Sequence, residues 1–119
     1  MGFKFEDLRI WQSALKRTVE IYTLSKSFPA DERFNLISQM NRAADSVVLN
    51  IAEGSVGLSN KEFKRFLRIA NRSALEVVSC LHIAKAKGFL NQEVFDDYYS
   101  KYESLIISIQ ALIKSIHDD

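Results

Sequence analysis

The chain has 119 residues, 47% of them hydrophobic and 26% charged, with four glycines, one proline and a formal net charge of +1. That size and balance fit one soluble domain around a single core and exclude intrinsic disorder. The longest charge-free apolar stretch, Ser104 to Ile113, is about half the roughly 20 residues a membrane span needs, so no membrane partner is expected. A lone Cys80 cannot form an intramolecular disulfide, and the start Met1-Gly2-Phe3-Lys4-Phe5-Glu6-Asp7 lacks the apolar run of a secretory signal. A reducing, cytoplasmic location is the expectation.

Pro29, Gly54, Gly57 and Gly88 divide the sequence into four apolar-periodic segments. In the first, Leu8, Trp11, Leu15, Val19 and Tyr22 recur at helical spacing, which predicts a helix over about 7–26 with those residues facing the core. Pro29 forbids continuation. The second helix is expected over 31–53, starting at Ala30 or Asp31 with Asp31 and Glu32 at its positive N-terminus. It turns Leu36, Met40, Ala43, Ala44, Val47 and Ile51 inward, and Gly54 stops it. Ser59 and Glu62 form a capping-box pattern ahead of a third helix over 60–87, whose core stripe is Phe63, Phe66, Leu67, Ala70, Ala74, Val77, Leu81 and Ala84. Asn91 caps a fourth over 92–117, with an apolar arc from Val94 and Phe95 through Tyr98, Tyr102, Leu105, Ile106 and Ile109 to Ile116. Connections this short force neighbouring helices antiparallel. The expected fold is all-α: one domain over 1–119, an antiparallel up-down-up-down four-helix bundle.

Such a bundle invites a di-iron centre, which needs Glu-x-x-His pairs one turn apart. Glu53, Glu76 and Glu103 are instead followed three positions on by Val56, Ser79 and Ile106, so neither a metal nor any other cofactor is expected. Cys80 and His82 project about 160° apart on a helix and make no nucleophile–base pair. Gly54-Ser55-Val56-Gly57 has neither the spacing nor the preceding strand of a phosphate loop. No catalytic residue is expected, and the chain is read as a non-enzyme.

Two stripes remain. Gln39, Arg42, Ser46, Asn50 and Glu53 form one polar file on the second helix, with Glu76 on the third placed to pair with Arg42. Its mixed amide, guanidinium, hydroxyl and carboxylate groups suit a hydrogen-bonded seam that fixes helix register. A ligand-binding or catalytic use of Arg42, Asn50, Glu53 and Glu76 is the competing reading. On the third helix Lys61, Lys64, Arg65, Arg68 and Arg72 lie opposite the core stripe as a cationic ridge. Residues 61–87 carry seven cations against two carboxylates, and residues 91–119 two against six, so the near-neutral total conceals charge separation. The ridge suits phosphate contacts with RNA or DNA. Equally, it suits a salt-bridged contact with another subunit or a protein partner. Ile10, Ala14 and Ile21 form a second apolar line on the first helix, away from Leu8, Leu15 and Val19, and predict a homo-oligomer interface there. Leu75, Ile83 and Ile107 also fall outside their core arcs.

The run Gln39-Met40-Asn41-Arg42-Ala43-Ala44-Asp45-Ser46, followed by Asn50-Ile51-Ala52-Glu53-Gly54, resembles the signature of the bacterial four-helix bundle family of 23S rRNA intervening-sequence proteins. The likeness extends to Phe5-Glu6-Asp7-Leu8 with Trp11-Gln12, Phe28-Pro29 with Glu32, Glu62-Phe63 with Phe66-Leu67-Arg68-Ile69-Ala70, and Ser73 with Glu76. It implies a four-helix protomer in a ring-like homo-oligomer, a pentamer, related in design to the accessory variability proteins of diversity-generating retroelements, which bind nucleic acid and a reverse transcriptase. It supplies no mechanism. Two departures stand out: Val56-Gly57-Leu58 replaces a loop that often carries Arg, and Arg72 stands where such proteins usually have Gly. The combined expectation is a non-enzymatic cytoplasmic bundle that holds RNA or DNA through its ridge, with a protein-interaction scaffold as the rival.

Overall fold

A computed structural model of the chain describes residues 2–57 and 59–117. Four helices, α1 (Arg9–Ser25), α2 (Leu36–Gly54), α3 (Asn60–Ala86) and α4 (Gln92–Ser115), pack into an antiparallel bundle of 47 × 23 × 22 Å. Short 3-10 turns at Lys4–Asp7 and Ala30–Glu32 complete it, and there is no strand among the described residues. No described helix is long and apolar enough to cross a membrane.

The ends of α3 and α4 follow from local chemistry. Ser59 Oγ accepts from the Glu62 backbone N–H at 3.1 Å, and Asn91 Oδ1 from that of Val94 at 2.9 Å, each satisfying a donor the helix start leaves free. At the end of α3, Gly88 takes φ +83°, so that Phe89 N–H reaches Ala84 O at 2.8 Å and Gly88 N–H reaches Lys85 O at 3.0 Å. That pair of bonds is a Schellman closure, for which a residue without Cβ is favoured.

Gly54 acts differently from the expected C-terminal stop. It is the last residue of α2, and a Cβ there would lie 2.6 Å from Phe66 Cβ. Its missing side chain lets α2 and α3 approach closely. The small residues Ala43, Ala70 and Ala74, all buried, continue that tight seam along the pair.

The α2 start also moves. The α-helix begins at Leu36, because Glu32 folds back to cap it: Glu32 Oε1 accepts from Asn35 Nδ2 at 3.0 Å and from Leu36 N–H at 3.4 Å. Glu32 Oε2 also receives Lys87 Nζ at 3.1 Å, tying this corner to the end of α3. Underneath, buried Phe28 meets Phe89 with ring centroids 5.5 Å apart.

The inward residues of α2 are all buried as the periodicity requires; α3 buries its stripe apart from the half-buried Phe63 and Phe66, and α4 buries Phe95, Tyr102, Leu105 and Ile109 while Val94, Tyr98, Ile106 and Ile116 are half-buried. In α1 the faces are exchanged. Ile10, Ala14, Thr18, Ile21 and Ser25 are buried, whereas Leu15, Val19 and Tyr22 are 41%, 57% and 56% exposed. Leu8 and Trp11 stay partly buried, Trp11 edge-on to Phe5 at 4.9 Å. Polar residues can enter this face because they find partners. Thr18 Oγ1 donates to Asp45 Oδ1 at 2.6 Å, and Ser25 Oγ accepts from Asn41 Nδ2 at 3.0 Å while donating to Tyr22 O. Ile10, Ala14 and Ile21 therefore belong to the core, and the outward apolar line of α1 is Leu15, Val19 and Tyr22.

Candidate nucleic-acid interface

The ridge occupies the N-terminal half of α3, on the face away from α2 and the core. Lys61, Arg65, Arg68 and Arg72 are exposed and Lys64 is half-buried. Arg65 Nε donates to both carboxylate oxygens of Glu62, at 3.0 and 3.1 Å, and its guanidinium lies 4.6 Å from the Phe66 ring centroid. Glu62 raises the Arg65 pKa further and partly neutralises that step of the ridge. Arg68 and Arg72 have no ion-pair partner among the described residues, so their full charge faces water. Sequence spacing did not reveal that Lys4 joins this end of the molecule: the 3-10 turn sets its ammonium 5.8 Å from the Phe63 ring centroid, beside the start of α3. In the loop before α3, Gly57 has φ +86°. Leu58 of that loop lies outside the described residues.

The polar file splits into an inner and an outer part. Ser46 Oγ and Ser73 Oγ share a hydrogen bond at 2.8 Å across α2 and α3, and Asn50 Nδ2 donates to Ser46 O at 2.9 Å and Ser46 Oγ at 3.0 Å. Gln39, Arg42, Glu53 and Glu76 are exposed. Among the described residues no ion pair joins Arg42 to Glu76, because each side chain can stay hydrated instead of paying the ordering cost of a surface pair. The seam is thus a serine–serine–asparagine lock under a depression of about 300 Å³ bordered by Gln39, Arg42 and Glu76.

Cys80 is buried, and desolvation, with a smaller contribution from Glu76, pushes its thiol pKa up, away from the reactive thiolate. His82 is an aromatic neighbour, edge-on to Phe95 at 4.8 Å. Among the described residues no group of three or more His, Cys, Asp or Glu side chains is arranged to hold a metal.

Two further surfaces flank α1. Between α1 and α2 runs a groove of about 900 Å³ whose walls include Val19, Tyr22, Phe28 and Ile37, with Lys26 and Arg33 at one end and Asp45 at the other. Between α1 and α4 runs a second of about 540 Å³. At its end Glu20 bridges the helices by accepting from Arg17 and, at 3.2 Å, from Lys101, which also pairs with Asp97 at 3.2 Å.

No functionally curated protein matches the chain. A crystal structure from Bacteroides thetaiotaomicron, described as a protein with unknown function from the S23 ribosomal protein family, superposes with a TM-score of 0.83. The match covers 89% of this chain and 96% of that one at 21% sequence identity, and it carries the fold. The family model for the 23S rRNA-intervening sequence protein matches residues 6–111. That span takes in both the polar file of α2 and the ridge of α3, and the chain belongs to the 23S rRNA-intervening sequence protein family.

Proposed function

We propose that the protein is a non-enzymatic bundle that holds RNA or DNA by its phosphates along α3, through Lys61, Lys64, Arg65, Arg68 and Arg72. The observation that carries this reading is the exposure of Arg68 and Arg72 without ion-pair partners among the described residues. An unpaired guanidinium is the group best suited to a phosphate, because its planar fork donates two parallel hydrogen bonds. Each phosphate neutralised releases counterions, which gives an attraction that weakens with salt and ignores sequence.

One ridge gives weak binding, and self-association would repeat it for avidity. A closed ring needs two unlike patches on each copy. The outward line Leu15, Val19 and Tyr22 supplies one, and the exposed Leu75, Ile83 and Ile107 on α3 and α4 offer a second. The groove beside Val19 and Tyr22 favours a second reading, in which that face receives a partner protein.

The test is affinity against salt for a labelled oligonucleotide. A log–log slope of about −0.7 per phosphate contact is expected for a single strand. The triple variant Lys64→Ala, Arg65→Ala, Arg68→Ala is expected to weaken binding at least about tenfold at low salt. A flat plot, or unchanged binding by the triple variant, overturns the reading. Pull-down after nuclease treatment separates it from the partner-protein reading.

A further inference from the structure

The α1–α4 groove is lined mainly by cations and hydroxyls. Arg9, Ser13 and Arg17 line it from α1 and Lys101, Ser104 and Ser108 from α4, over a floor that includes Ile10 and Leu105, and no carboxylate takes part in the lining. Glu20 and Asp97 stand behind the cations at one end and hold Arg17 and Lys101 at the rim. Arg9, at the opposite end, is exposed and has no ion-pair partner among the described residues.

Three exposed serines, Ser13, Ser104 and Ser108, stand along the groove and supply hydroxyls between its cations. From Arg9 to Arg17 the track runs about 12 Å at 1.5 Å per residue. Cations at both ends with hydroxyls between them match a chain of phosphates separated by sugars. A concave track between two helices follows one backbone along its length, as single-strand grooves do.

We infer that this groove is a second nucleic-acid track, selective for single-stranded backbone: Arg9, Arg17 and Lys101 meet phosphates, and Ser13, Ser104 and Ser108 meet phosphate or sugar oxygens. Grooves of this kind follow a strand by charge, and hydroxyls facing the sugar favour RNA, whose 2′-OH both donates and accepts. The inference rests on the nucleic-acid reading and adds a strand preference that the convex α3 ridge does not provide.

The test is fluorescence anisotropy of the full chain with a labelled oligouridine, the matching oligodeoxythymidine and a duplex of the same length. The variant Arg9→Ala, Ser104→Ala, Ser108→Ala changes only exposed side chains and spares Arg17 and Lys101, which brace the helices. It is expected to weaken oligouridine binding at least about fivefold at low salt and to leave the duplex unchanged. Ser104→Lys is expected to tighten single-strand binding. The Lys64, Arg65, Arg68 variant should weaken strand and duplex alike. Unchanged oligouridine binding by the groove variant overturns this inference and leaves the ridge standing, whereas loss confined to the groove variant overturns the ridge and keeps the groove. An equal loss for strand and duplex in the groove variant also overturns the strand preference.

Discussion

Helix α3 buries Leu67, Ala70, Ala74, Val77, Leu81 and Ala84 and turns its cations outward. Helix α1 instead buries Ala14, Thr18 and Ser25 beside Ile10 and Ile21 and turns Leu15, Val19 and Tyr22 outward. Both are regular amphipathic helices. They differ in what holds them: α3 lies close against α2 through Gly54 and the Ser46–Ser73 lock, whereas α1 is bordered by a groove on either side and secured by the Thr18–Asp45 and Glu20–Lys101 links. Which face of a helix goes inside is decided by what it meets. An apolar count along its length is a poor guide when polar partners such as Asp45 and Asn41 are waiting.

The sharpest way to break this contrast is to truncate the two apolar lines of α1 separately. Ile21→Ala, at a fully buried position, is expected to cost about 2–5 kcal/mol in urea unfolding. Val19→Ala should stay within about 0.5 kcal/mol, while lowering the mass seen by light scattering if the outward line joins copies. Equal costs would mean that α1 has no preferred face. Next comes the α2–α3 approach. Gly54→Ala is expected to lose about 1–3 kcal/mol from crowding Phe66, although alanine is the better helix former by about 1 kcal/mol. A stabilised variant would show that the two helices are less tightly joined than the Gly54–Phe66 approach implies.

The smallest effect concerns the corner where α2 begins. The Lys87 hydrogen bond, more than those from Asn35 and Leu36, holds Glu32 below its usual carboxylate pKa, against a desolvation that raises it. A lowered folded pKa means that the contribution is present above the ordinary glutamate range and fades as pH falls through the folded value. Lys87→Ala should therefore lower the melting temperature slightly at neutral pH and leave it unchanged once Glu32 is protonated. A difference that persists into strong acid would assign the effect to something other than this pair.

Much of this architecture is legible in the sequence. Ser59, Asn91 and Gly88 act within a few residues of themselves, so their roles as caps follow from residue type and position. The stripes of α2, α3 and α4 each form one continuous apolar face, and the apolar residues outside them, such as Leu75, Ile83 and Ile107, are too scattered to compete with it. In α1 two apolar lines compete, and the decision belongs to Asp45 and Asn41 on another helix. Glu32 stands near a helix start, as its charge suggests, but caps from outside it, because the chain first makes a 3-10 turn after Pro29. The cationic positions of α3 were plain from their spacing, whereas the split between the Glu62-paired Arg65 and the unpaired Arg68 and Arg72 needed side-chain geometry. The α1–α4 groove stayed hidden because its six polar side chains come from segments nearly ninety residues apart.

The thin attachment of α1 sets the order in which the molecule comes apart. A helix bordered by solvent on two flanks opens at lower free energy than one wedged between neighbours, so its amides should exchange with deuterium before those of α3. A strand lying along Arg9 to Arg17, or a neighbour pressed onto Val19 and Tyr22, would stitch that helix down. The molecule would then signal its occupancy through slowed exchange in its first quarter, without any change of shape.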